Sequence, residues 1–145
     1  LTAADPQPLI DRYRRPQPRL SLVPALRRFA TAGLDVSDGL VADLGHLCEV
    51  SGRAAVIHAD RVPLSAATRA VVAADASLLA TALTGGDDYE IVFTVKPEDR
   101  DALLASGADV TEIGRLVPGG EPGSVTVLDA AGQPLPLPSR GWTHF

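Results

Sequence analysis

Along this chain the spacing of apolar residues switches between helical and alternating periods, and the switches delimit its elements. Pro6 and Pro8 suit the start of a first helix, and Pro16 stops it. Residues 21–31 predict a second: Ser21 caps it, Leu22, Leu26 and Phe29 share a face, and Gly33 ends it. Leu34 to Gly39 reads as a short strand end running into a turn. From Asp38 to Ser51 the residues Leu40, Leu44, Leu47 and Cys48 recur at helical spacing, and Gly52 stops the helix. Ala54–His58 is apolar and short, a buried strand. Leu64 to Ala82 is helical, alanine-rich and broken near Asp75. Thr84 to Asp88 is a loop, Tyr89 to Val95 a strand, and Pro97 opens a helix reaching Ser106. Residues 109–117 and 124–128 predict strands, with Pro118-Gly119-Gly120 turning between them. Helices and strands alternate early and strands dominate late. The expected fold class is α+β with α/β-like layers, a mixed β-sheet covered by helices.

Composition narrows the function classes. At 145 residues the chain has the size of one domain, 1–145, with residues 1–32 as a helical leader packed on it. No apolar run approaches the roughly 20 residues of a membrane helix, so no membrane role is expected. A net charge of -5 argues against nucleic acid. The single cysteine, Cys48, excludes an internal disulfide and fits a reducing compartment, the cytoplasm. The charge is uneven: residues 1–28 hold six arginines against Asp5 and Asp11, while the remainder is strongly acidic. A basic leader beside an acidic domain could fold back onto an anion. Methionine is absent and Leu1 comes first, which predicts a piece of a longer protein.

Two stretches could carry chemistry. In Asp35-Val36-Ser37-Asp38-Gly39, Asp35 and Ser37 point to one side of a strand and Asp38 stands at a helix entry. Two carboxylates and a hydroxyl suit a hard cation, and a helix N-terminus offers N–H groups to phosphate. A helix cap is the alternative. In Gly85-Gly86-Asp87-Asp88-Tyr89-Glu90 the glycines permit close backbone approach, and three acids in four positions need a compensating positive group. The alternative is a turn with solvated acids. Asp43 and His46, one turn apart, read as a solvated helix face, with a metal pair as the alternative. His58 and Cys48 read as core. There is no P-loop, no dinucleotide fingerprint and no zinc spacing.

Four segments in this order resemble the thiamine-monophosphate kinase family: Tyr13-Arg14-Arg15-Pro16-Gln17-Pro18-Arg19, Asp35 to Leu40 with Asp43-Leu44 following, Gly85 to Glu90, and Gly141-Trp142-Thr143-His144-Phe145. The resemblance spans nearly the whole chain but only the C-terminal half of such a kinase. It implies the fold of the C-terminal domain of the AIR synthase-related superfamily. It also implies an N-terminal domain, absent here, that forms a homodimer in the full-length protein. The implied reaction takes the γ-phosphoryl group of ATP to thiamine monophosphate, with Mg²⁺. In it Asp35 and Asp38 hold the metal, Ser37 contacts ATP, and Asp87 and Trp142 face the substrate. Asp87 stands where the family usually has glutamate, so its side chain is one methylene shorter. No catalytic side chain is implied, because the attacking phosphate oxygen is already ionised and catalysis rests on aligning and neutralising two anions. The chain alone is expected to be inactive. The other readings are a different ATP-using member of the superfamily, a non-catalytic nucleotide- or thiamine-binding module, or a structural domain with surface acids.

Overall fold

The computed structural model describes residues 6–138 and 141. Its elements are α1 (Gln7–Arg14), a 3₁₀ turn (Leu20–Leu22) leading into α2 (Val23–Phe29), β1 (Ala30–Asp35), α3 (Leu40–Val50), β2 (Ala54–His58), α4 (Ala66–Ala74), α5 (Leu78–Thr84), β3 (Ile91–Val95), a 3₁₀ turn (Pro97–Asp99) into α6 (Arg100–Leu104), β4 (Gly114–Val117) and β5 (Val125–Leu128). The expected α+β class holds, and its strands are divided between two sheets. In one, β1 and β3 run antiparallel with Asp35 opposite Ile91. In the other, β2 lies between β4, antiparallel to it, and β5, parallel to it. That second sheet is the mixed one.

Helix α3 joins the two sheets. Its apolar face, Leu40, Val41, Leu44 and Cys48, packs in one buried cluster with Ile57 of β2, Val92 of β3 and Val127 of β5. Leu83 of α5 and Cys48 are completely buried, and Leu83 brings α5 into the same cluster. Burying a side chain of this size contributes about 1.5–3 kcal/mol, and the two small sheets share this one cluster.

Several boundaries differ from the sequence reading, each for a physical reason. The second helix ends at Phe29, and β1 begins at Ala30 rather than Leu34. Gly33 does not stop a helix; it stands in β1 opposite Phe93, where a Cβ would press on the phenylalanine 2.9 Å away. Only 114–117 of the stretch 109–117 forms a strand. β4 and β5 are not paired with each other, because both take β2 as partner. Ala54, Ala55 and Ile57 are buried, so β2 is the strand suited to the centre. The break near Asp75 is an Asx turn, with the Asp75 carboxylate accepting from the N–H and the hydroxyl of Ser77 at 3.0 and 2.6 Å.

Candidate functional site

β1 ends on Asp35, which is exposed, and the chain turns through Val36–Gly39 into α3. One turn into that helix stands Asp43, only 3% exposed. Its Oδ2 accepts from the backbone N–H groups of Ser37, Asp38 and Gly39 at 2.9, 2.9 and 3.2 Å. Asp43 therefore does not lie on a solvated face. Three amides replace the water that a buried carboxylate would otherwise lose. The same bonds turn those amides inward, so they are not offered to a phosphate. His46, one turn further, is exposed.

The second motif is zipped onto this turn. Val36 N–H donates to the Glu90 carbonyl, Tyr89 N–H to the Val36 carbonyl and Asp87 N–H to the Ser37 carbonyl, each at 2.8 Å. Two glycines make the approach possible. A Cβ on Gly86 would stand 2.5 Å from the Ser37 carbonyl oxygen. Gly39 has φ +121° and lies against the Thr84 carbonyl, where a Cβ would come within 2.7 Å. Beyond the glycines, Asp87 (φ +66°) and Tyr89 (φ +52°) both occupy the left-handed region, and the Tyr89 hydroxyl donates to the Asp87 carboxylate at 3.1 Å. That bond, with the Asp87 charge, pushes the Tyr89 phenol above its usual range.

Charge in this loop is balanced from elsewhere. Although Asp88 is an exposed residue, its carboxyl is pushed up to about 6, first by desolvation and then by Glu90 and Asp87, with Arg12 pulling the other way. Glu90 accepts from Arg12 at 2.5 Å and from Arg19 Nε at 2.7 Å, with a further bond from the Arg19 terminal nitrogen. The Glu90 hydrogen bond holds the Arg19 guanidinium above its usual pKa. Arg12 also reaches the Asp88 carbonyl at 3.5 Å. The basic leader does fold back onto an anion, and the anion is Glu90.

Of the residues singled out in the sequence, the fold brings Asp35, Ser37, Asp38 and Asp87 to one edge of the β1–β3 pair. The Ser37 hydroxyl has no hydrogen-bond partner among the described residues. Asp38, Asp43 and His46 each offer a ligand atom within 4.8 Å of the others; Asp35 is not in that group. Asp35 instead borders an open cleft of about 360 Å³ with Arg19, Leu20, Val23, Tyr89 and Ile91. Trp142 lies outside the described residues. Gly141, just before it, sits against Ala42 and the Asp38 carbonyl. His58 is half-buried in β2, and Cys48 is core, with burial pushing its thiol up. The sequence offered Asp43 only as a solvated residue or half of a metal pair, and it foresaw a basic leader and an acidic loop without joining Arg12 and Arg19 to Glu90. An acid three residues inside a helix that follows a Ser-Asp-Gly turn is a usable signal for the first. Nothing local points from Arg12 or Arg19 to Glu90.

Residues 5–126 match the family described as AIR synthase related protein, C-terminal domain. The chain is 40% identical over 141 residues to the thiamine-monophosphate kinase of Salmonella typhimurium, covering 94% of this chain and 42% of that protein. It is 35% identical over 138 residues to that of Aquifex aeolicus, covering 94% and 41%. Among solved structures, AaThiL complexed with AMPPCP and TMP superposes with a TM-score of 0.77 at 35% identity, over 96% of this chain and 41% of that one. The thiamine-monophosphate kinase of Stenotrophomonas maltophilia gives 0.73 at 44% identity, over 88% and 40%. The chain thus spans less than half the length of these relatives.

Proposed function

The chain belongs to the AIR synthase related protein C-terminal domain family, and from that premise we propose that it is the C-terminal part of a thiamine-monophosphate kinase. The whole enzyme transfers the γ-phosphoryl group of ATP to thiamine monophosphate, yielding thiamine diphosphate and ADP. It works in the cytoplasm as a homodimer whose N-terminal domain completes the site. No helix among the described residues is long and apolar enough to cross a membrane.

The observation that carries this reading is the backbone zipper between Val36–Ser37 and Asp87–Glu90, which makes one site of two distant motifs. Mg²⁺ takes hard oxygens of the kind the Asp35–Asp38 turn carries, and among the described residues the Ser37 hydroxyl has no hydrogen-bond partner. Asp35 and Asp38 would hold the ion, which when bound supplies positive charge to the phosphate oxygens. Ser37 donates its hydroxyl to ATP. Asp43 keeps the turn rigid by holding its three amides. Asp87 faces the cationic thiazolium ring, and Trp142 stacks on it. No side chain has to remove a proton, since the acceptor phosphate is already ionised.

The test uses the full-length protein. Asp35→Asn and Asp38→Asn keep size and capping ability, so the melting temperature should stay near the parent. Turnover should fall by about 100-fold or more and partly recover at high Mg²⁺. Near-parental turnover of both variants at low Mg²⁺ would leave the aspartates as caps only. The isolated chain should bind ligands weakly and show no turnover; ordinary turnover by residues 1–145 alone would contradict the need for a second domain.

A further inference from the structure

The loop Gly85–Glu90 holds an awkward conformation. Two non-glycine residues in three, Asp87 and Tyr89, have left-handed backbone, a region that costs L side chains energy and persists only where surroundings enforce it. One edge of the loop is enforced by the three hydrogen bonds to Val36 and Ser37. The other edge is enforced by the leader. Arg12, from α1, bonds both the Asp88 carbonyl and the Glu90 carboxylate. Arg19, from the segment before α2, takes Glu90 through two nitrogens in a forked contact. Glu90 is thus the single point where two guanidiniums from distant sequence meet a loop whose remaining acids, Asp87 and Asp88, repel one another. Its side chain is 45% exposed, and the arginines are 30% and 36% exposed. A surface pair of that exposure adds little to global stability, but a forked, doubly shared carboxylate fixes geometry.

We propose that Glu90, clasped by Arg12 and Arg19, is a positioning residue that holds the Gly85–Tyr89 loop in its left-handed form for the phosphate-bearing cationic substrate. The clasp acts through Asp87 and Tyr89 and does not itself touch the substrate. The proposal rests on the reading of this loop as the substrate-facing wall. It goes beyond that reading in what it assigns to the basic leader, since without the leader the loop loses its outer edge.

Glu90→Gln removes the charge and keeps the shape; Arg19→Lys keeps the charge and removes the fork. Amide hydrogen exchange is followed in this chain at Asp87 and Tyr89, and at Val56 and Ile57 in β2 as an internal reference. Steady-state kinetics are followed in the full-length protein. Glu90→Gln should speed exchange at Asp87 and Tyr89 by about tenfold or more while β2 is unmoved. KM for thiamine monophosphate should rise by a similar factor, with kcat and the KM for ATP unchanged. Arg19→Lys should give a smaller change of the same kind. Unchanged exchange in the loop overturns the proposal, as does faster loop exchange with an unmoved KM. Uniformly faster exchange, β2 included, also overturns it, because the role would then be structural. If the parent full-length protein does not phosphorylate thiamine monophosphate, the functional reading fails separately, and loop exchange alone decides whether the clasp exists.

Discussion

The turn at Ser37–Gly39 and the loop at Gly85–Glu90 lie against each other, and both gather acidic side chains, yet they neutralise them in opposite ways. The turn is self-contained. Asp43 is buried, and the backbone a few residues before it supplies three donors to its carboxylate. The loop is dependent. Glu90 looks to Arg12 and Arg19, some seventy residues earlier in the chain, while the Asp88 carboxyl is left without a bonded cation among the described residues. Local neutralisation gives a rigid wall whose loss damages the fold. Remote neutralisation gives a wall whose loss changes its own conformation and leaves the core standing.

The largest expected effect breaks the self-contained side. Asp43→Ala leaves three inward N–H groups without an acceptor and should cost about 3–5 kcal/mol, read from urea unfolding. Asp43→Asn keeps one oxygen and should lose less. A loss below about 1 kcal/mol for the alanine variant would show that water reaches those amides. Next comes the seam between the two regions. Gly86→Ala drives a methyl into the Ser37 carbonyl and should cost about 1–3 kcal/mol, with loss of ligand binding on both sides of the seam. An unaffected variant would mean that the two motifs slide apart freely.

The smallest effect sharpens the dependent side. The folded chain keeps the Asp88 proton up to about pH 6, whereas the unfolded chain releases it near 4. Stability from this group is present at low pH and is lost as pH rises from about 4 to about 6. Asp88→Asn should therefore be more stable than the parent at about pH 7–8, by under about 1 kcal/mol since water screens the group. The difference should vanish below about pH 4. A variant less stable than the parent at about pH 8 would show that the Asp88 charge is compensated after all.

Much of this was legible in the sequence, and the part that was not has a common cause. The helical spacing of Leu40, Leu44, Leu47 and Cys48 placed α3 within two residues, and Asp75 marked the break between α4 and α5. Gly33 misled because a glycine beside a helical pattern also suits a strand position where the facing residue, here the Phe93 Cβ, comes too close for a side chain. Strands β4 and β5 were found, but their common partner β2 was not, since pairing depends on which strand is most buried. The acids of both motifs were visible. Their neutralisation was not: Asp43 looked like an exposed helical residue because its three donors are backbone groups, which carry no sequence signal. Glu90's arginines are remote, and only the fold brings them near.

The backbone zipper between the two motifs also fixes when the site can come into being. Its halves are separated by α3, β2, α4 and α5, and they meet only once β1 has paired with β3. Closing so long an intervening segment carries an entropic cost that no local contact repays in advance, and pairings of this separation arise late and slowly. No short fragment of the chain can hold the site. During refolding, ligand affinity should therefore lag behind helix formation, and a newly made chain would pass through a helical, collapsed stage that cannot bind.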